Sequence, residues 1–218
     1  IFHTHFFIIS LRNTFRLENT EIMKNLVIGQ SGGPTAVINA SLYGAVKAFR
    51  ESGADGHVLG MINGIEGFLA DHVMDLSTDL SDKELELLKL TPAAYLGSCR
   101  YKLPADLDSE VYPAIFDNFR EMNIGYFLYV GGNDSMDTVD KLSRYAEKIG
   151  SDVKFIGIPK TIDNDLVLTD HTPGFGSAAK YVASTVREIV LDASVYQQRS
   201  VTIVEIMGRH AGWLTAAS

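Results

Sequence analysis

Uninterrupted apolar runs alternate with amphipathic stretches along most of this chain. Leu26-Val27-Ile28-Gly29 is apolar throughout, as expected for a strand covered on both faces. It runs into a turn-rich segment, Gln30-Ser31-Gly32-Gly33-Pro34-Thr35. A helical period follows, with Leu42, Val46 and Phe49 on one face and Lys47, Arg50 and Glu51 on the other, stopped by Gly53. Residues 57–62 read as a second strand. Ser81 with Glu84 forms a capping box ahead of a short Leu-rich helix, and residues 112–122 are helical by spacing. Residues 126–130 are a third strand. A helix carrying Val139, Leu142, Ala146 and Ile149 comes next, closed by Gly150. Residues 155–158 are a fourth strand. Ser177 is placed to cap a long helix through about Val195, and residues 201–206 read as a last strand.

Continuous apolar strands alternating with helices predict an α/β fold with a doubly wound, mostly parallel sheet. In such sheets ligands bind beyond the carboxyl ends of the strands. The Gly-rich and charged clusters at 29–35, 131–135, 159–165 and 207–209 each follow an expected strand. Topology alone therefore gathers them at one edge.

The formal net charge of −8 argues against a nucleic-acid partner, which needs a basic face. It does not exclude small anions, because local cations and N–H groups outweigh a distant, screened net charge. A single cysteine, Cys99, excludes an internal disulfide framework and points to a reducing, cytoplasmic setting. Cys99 itself reads as a small buried residue. No apolar run is long enough to span a membrane. Residues 1–22 lack the basic stretch and cleavage site of a signal peptide and read as a poorly ordered or non-native extension ahead of a natural start at Met23.

Each cluster suggests chemistry and also has a plainer explanation. Ser31-Gly32-Gly33 joins a strand to a helix, where glycines let an anion approach backbone N–H groups and a positive dipole end; a tight turn would look the same. Its spacing matches neither G-x-G-x-x-G nor the P-loop, which disfavours a dinucleotide-binding dehydrogenase. Gly131-Gly132-Asn133-Asp134-Ser135 is a second such turn, in which Asp134 or Ser135 could simply cap the helix. Pro159-Lys160-Thr161-Ile162-Asp163-Asn164-Asp165 sets two carboxylates and a lysine at a strand end: a carboxylate can take a hydroxyl proton, and the ammonium can neutralise a moving phosphoryl group. A polar, Asx-stabilised loop is the alternative there. His171 and His210 read as structural or solvent-facing.

Taken together, residues 131–135, 159–165 and Met207-Gly208-Arg209 resemble, in order and spacing, three signature blocks of the phosphofructokinases. Ser31-Gly32-Gly33 and Gly97-Ser98-Cys99-Arg100-Tyr101 match further family segments, and the resemblance covers about 23–218. It implies a phosphofructokinase-like, Rossmann-type fold with a donor-binding domain at 23–173 and the beginning of a second α/β domain, for the sugar phosphate, at 174–218. It makes Asp163 the general base toward the sugar 1-hydroxyl. Thr161 would contact the phosphoryl group, and Asp165 would manage metal and charge. Gly33 and Arg100 would hold donor phosphates, and Ile162, Met207, Gly208 and Arg209 would belong with the sugar phosphate.

Asp134 together with Lys160 resembles the pyrophosphate-dependent group. A carboxylate at 134 repels the inner phosphate of a nucleotide, and the ammonium of Lys160 holds pyrophosphate. The expected reaction is reversible phosphoryl transfer from pyrophosphate to fructose 6-phosphate in glycolysis, with Mg²⁺ as cofactor. An ATP-dependent phosphofructokinase and a non-catalytic regulatory subunit are the alternatives. Asn133 stands where ATP-dependent relatives carry a metal-binding Asp and offers a weaker metal contact. Arg199 falls one residue short of the family's intersubunit arginine, and Ser200 holds that position. The resemblance also implies a longer, homo-oligomeric parent, of which these residues alone would be weak or inactive.

Overall fold

The structure, a computed structural model, describes residues 24–218; the expectations for residues 1–22 and for a start at Met23 lie outside them. The chain gathers into two compact units, one ending at Pro159 and one spanning Lys160–Ser218.

The first unit is built on a five-stranded sheet. Its strands are β1 (Asn25–Gln30), β2 (Val58–Met61), β3 (Val73–Asp75), β4 (Ile124–Gly131) and β5 (Lys154–Pro159), in the order β3-β2-β1-β4-β5. All neighbours run parallel except β2 and β3. The helices are α1 (Ile38–Glu51), α2 (Gly64–Phe68), α3 (Asp82–Leu88), α4 (Val111–Glu121) and α5 (Asn133–Ile149).

Period-two alternation sends β1 and β4 side chains to two separate cores. Leu26 and Ile28 join Tyr126, Leu128 and Val130 under α1, with Leu42, Val46 and Phe49. Val27 joins Phe127 and Tyr129 on the opposite face, with Phe68, Phe116, Phe119 and Tyr145. This second core is aromatic, with ring pairs such as Phe116–Phe119 at 5.0 Å and edge-on. Two strand glycines make room for methionines. A Cβ at Gly29 would lie 2.4 Å from the Met61 methyl, and one at Gly157 would lie 2.5 Å from the Met136 sulfur.

In the first unit the expected strands and amphipathic helices fall where the periodicity puts them. Ser81 and Glu84 form the capping box, Ser81 Oγ accepting from the Glu84 N–H. Gly150 closes α5 at φ +68°, as a C-terminal glycine in the left-handed region should. Strand β3 and helix α2 have no matching expectation, being only three and five residues long.

The second unit holds α6 (Phe175–Ser194) and α7 (Trp213–Ala216) and a bridge between Thr161 and Gly174. Two expectations are corrected here. Helix α6 begins after Gly174, which makes no side-chain cap, so Ser177 lies inside the helix rather than capping it. Residues 201–206 form no strand, and Val201 and Ile203 are each 91% exposed. A strand needs a neighbour for its backbone groups, and among the described residues of this unit none is present.

Two consequences are measurable. Phe119→Ala empties the centre of the aromatic core and should cost about 3–5 kcal/mol in denaturant unfolding. Helices α1 and α3 are tied by Glu86, which accepts from Tyr43 Oη at 2.8 Å and pairs with Lys89 at 2.5 Å. Lys89, then Tyr43, hold the Glu86 carboxyl down at about 2. A depressed carboxyl contributes stability fully above its unfolded pKa, and the contribution is lost as pH falls through the folded value. Lys89→Met should raise the Glu86 pKa toward the ordinary carboxylate range in an NMR titration.

Candidate functional site

Parallel strands end together, so β1 and β4 deliver their following loops to one edge of the first unit. Ser31 N–H donates to Val130 O at 2.9 Å, which binds the turn after β1 to the end of β4. Gly32 adopts φ +76°, a backbone turn that a side chain would strain. A Cβ at Gly33 would meet nothing within 4 Å, so the backbone there faces open space. Gly131 is required for the opposite reason: its Cβ would lie 1.8 Å from Ser135 Oγ.

The loop carrying Arg100 is fastened onto the same turn. Ser98 Oγ donates to Gly32 O at 2.6 Å, and Gly32 N–H donates to Cys99 O at 3.0 Å. Gly33 and Arg100, both exposed, are therefore brought together as donor-site candidates. Behind them Cys99 is buried, as expected, with its Sγ 3.6 Å from Tyr129 Oη. Burial, with Cys99 next, pushes the Tyr129 phenol up, so it stays a neutral hydroxyl.

Asn133 and Asp134 open α5, a 17-residue helix whose N-terminal dipole favours anions. The Asp134 carboxylate pairs with Lys102 Nζ at 3.2 Å, with side chains 58% and 70% exposed. Lys102 was not singled out from the sequence. Only its neighbourhood was signalled: it lies just past the 97–101 segment that carries Arg100.

Within the second unit, residues 160–174 form a closed loop. Thr161 N–H donates to Pro173 O at 3.2 Å, and Thr172 Oγ1 donates to Thr161 O at 2.7 Å. Asn164, left-handed at φ 56°, spans the loop: its Oδ1 accepts from the Thr172 N–H at 2.8 Å and its Nδ2 donates to Asp170 O at 3.1 Å. Thr161 Oγ1 accepts from the Asp163 N–H at 3.0 Å, which leaves the hydroxyl proton to donate elsewhere. Asp163 Oδ1 is buried with no hydrogen-bond partner. A carboxylate oxygen so placed costs free energy unless something it is built to meet arrives. Lys160 is buried at the head of the loop.

Asn164, Asp165 and His171 line a cleft of about 700 Å³ that Trp213 and Ala216 also border. His171 stacks near Phe175 at 5.9 Å. Met207 and Arg209 are exposed, and Gly208 closes a tight turn, its carbonyl accepting from the Ala211 N–H at 2.8 Å. Another cavity, about 380 Å³, opens where β4 and β5 begin, beside the Lys24–Asp152 ion pair. That is the opposite sheet edge from the signature loops. Among the described residues no group of three or more His, Cys, Asp or Glu is gathered to hold a metal, and no helix is long and apolar enough to cross a membrane.

Comparison with known proteins agrees with this arrangement. A pyrophosphate–fructose 6-phosphate 1-phosphotransferase from Halomonas elongata is 46% identical over 198 residues, which is 88% of this chain and 47% of that protein. One of the same name from Xanthomonas campestris is 47% identical over 197 residues, 89% of this chain and 46% of that protein. The crystal structure of a pyrophosphate-dependent phosphofructokinase from Nitrosospira multiformis superposes with a TM-score of 0.83 at 43% identity, covering 90% of this chain and 49% of that one. The chain thus spans about half the length of the relatives it matches. With residues 25–218 matching the family described as Phosphofructokinase, this chain belongs to the phosphofructokinase family.

Proposed function

We propose that this chain carries the donor-binding part and the general base of an enzyme that transfers a phosphoryl group from inorganic pyrophosphate to the 1-hydroxyl of fructose 6-phosphate. The products are fructose 1,6-bisphosphate and phosphate, and the reaction is reversible because donor and product are both simple phosphates. The observation that carries this reading is Asp163: a carboxylate oxygen, buried and without a partner, in the loop whose residues resemble a signature block of the family.

Phosphoryl transfer asks for positioning and charge neutralisation more than covalent chemistry. In this reading the Gly33 N–H and the Arg100 guanidinium hold the donor phosphates. Asp163 takes the proton of the sugar 1-hydroxyl as its oxygen attacks. Thr161, whose hydroxyl already accepts from the Asp163 N–H, turns its own proton to the phosphoryl oxygens. Lys160 neutralises charge on the pyrophosphate. Asp134 bars a nucleotide by repelling its inner phosphate. Ile162, Met207, Gly208 and Arg209 serve the sugar phosphate, so residues 23–173 work on the donor and residues 174–218 begin the sugar-binding part.

Magnesium fits the oxygen-only side chains available. Mg²⁺ is ordinarily held by one or two carboxylates together with substrate phosphates. Asp165, exposed in an open cleft, would hold it together with the donor phosphates, and the Asn133 amide oxygen offers a separate, weaker contact through water. When bound it would offset the charge on the donor phosphates. The same reading makes the parent a cytoplasmic homo-oligomer acting on small phosphorylated sugars, with neither nucleic acid nor membrane as partner.

The assay belongs on the longer protein that contains this chain, with pyrophosphate and ATP tested in parallel; the 218 residues alone should turn over weakly or not at all. Pyrophosphate should support turnover and ATP should not. A reversed preference would make the enzyme an ATP-dependent one, and silence with both donors would leave a regulatory subunit. Asp134→Gly should admit ATP as a measurable second donor. Asp163→Asn should lower kcat by about a hundredfold to ten-thousandfold, the range of a lost general base, with the fructose 6-phosphate KM little changed.

A further inference from the structure

The donor loops are irregular backbone, and something other than a sheet ladder must hold them. Residues 91–100 contain no helix or strand, yet they run past the core beneath α1. Two buried amides meet them there. Gln30, the last residue of β1, and Asn39, in the first turn of α1, are both 0% exposed. Gln30 Oε1 accepts from the Leu96 N–H at 2.9 Å. Gln30 Nε2 donates to Ile38 O at 3.2 Å and to Asn39 Oδ1 at 3.0 Å. Asn39 Oδ1 also accepts from the Tyr95 N–H at 2.8 Å, and its Nδ2 donates to Thr91 O at 2.9 Å.

We infer that this Gln30–Asn39 amide pair is a clasp that positions the donor site, setting Arg100 against the Gly32-Gly33 turn. The inference rests on the donor-binding role proposed for Gly33 and Arg100. Neither amide can touch a substrate, because both are sealed in the core beside Leu42 and Leu96. Burying two amides among aliphatic side chains is costly unless their hydrogen bonds are met. Here the pair meets four backbone groups on two segments, Thr91, Tyr95 and Leu96 of the loop and Ile38 at the start of α1, and Gln30 ties both to the end of β1. A pair of leucines would fill the space without choosing a register for the loop. The amides do choose one, since Gln30 Oε1, Asn39 Oδ1 and Asn39 Nδ2 each meet one backbone group of the loop, at Leu96, Tyr95 and Thr91. The clasp grips residues 91–96, and the Ser98–Gly32 and Gly32–Cys99 bonds continue its hold to the residue before Arg100.

Gln30→Glu separates positioning from mere folding. The variant keeps the shape and the acceptor for the Leu96 N–H. In the ionised form it turns a carboxylate oxygen toward Ile38 O and Asn39 Oδ1, where Nε2 had donated. In the protonated form it can donate again. Burial raises a carboxyl pKa, so the switch falls within reach of an assay. In the longer protein that contains this chain, the pyrophosphate KM should rise about tenfold at about pH 8 and return toward the wild-type value by about pH 6. The fructose 6-phosphate KM should stay within about twofold throughout. A donor KM that does not move in a folded variant, or two KM values that rise together, would overturn the inference. If the wild-type protein proves to use ATP, the same split is read on the ATP KM, so a wrong donor and a wrong clasp give different results. Should the variant not fold, hydrogen exchange on the unmutated chain decides: the Tyr95 and Leu96 amides should exchange as slowly as those of the sheet, and exchange at surface-loop rates would sink the idea.

Discussion

Strand β1 sits between two parallel neighbours and under two cores, and every residue from Leu26 to Gln30 is sealed from water. Backbone in that position has no solvent to fall back on, so each N–H and C=O must find its partner in the sheet. The register with β2 and β4 is correspondingly continuous from Leu26 onward. Much else follows from this one constraint. Parallel pairing forces each connection to cross over and return, and a crossover helix covers a face of the sheet. The four parallel strands then all finish on the same side. Residues far apart in sequence, such as Gly33 and Asp134, are carried to that side by geometry alone.

What the sheet delivers, polar side chains must finish. The loops at its edge are irregular, so their backbone groups are met by Gln30, Asn39 and Ser98. Within the second unit, Asn164 and Thr172 do the same for the 160–174 loop. The same solution appears twice: an amide or hydroxyl spans a loop and binds its backbone at fixed points. Asp163 keeps a buried oxygen without a partner, and a Cβ at Gly33 would meet nothing within 4 Å.

How much of this was legible beforehand depended on the kind of signal. Strand β4 and helix α5 were plain, because Phe127, Leu142 and Ala146 repeat at periods set by local geometry alone. Gly150 and the Ser81–Glu84 box were legible because caps are written within a few residues. The loops after β1, β4 and β5 were recognised because glycines and charges clustered there. Strand β3 was not, since three residues carry no period. Residues 201–206 misled for the opposite reason: Val201, Ile203, Val204 and Ile206 look like a strand, but a strand is a property of a pair. The Lys102–Asp134 pair and the Gln30–Asn39 clasp were invisible, because each joins segments whose nearness exists only after folding.

The glycines at 29 and 157 have a further implication, for redox chemistry. Each is a notch in a strand, filled by the thioether end of Met61 or Met136. Thioethers suit such notches because they are flexible and polarisable. Converting one to a sulfoxide adds a polar oxygen where no donor waits and no space is left. Met61 is fully enclosed and protected. Met136, in the first turn of the helix that bears Asp134, is only half-buried. Of these two methionines, Met136 is therefore the one peroxide would reach first, with the effect felt at the helix that bears Asp134.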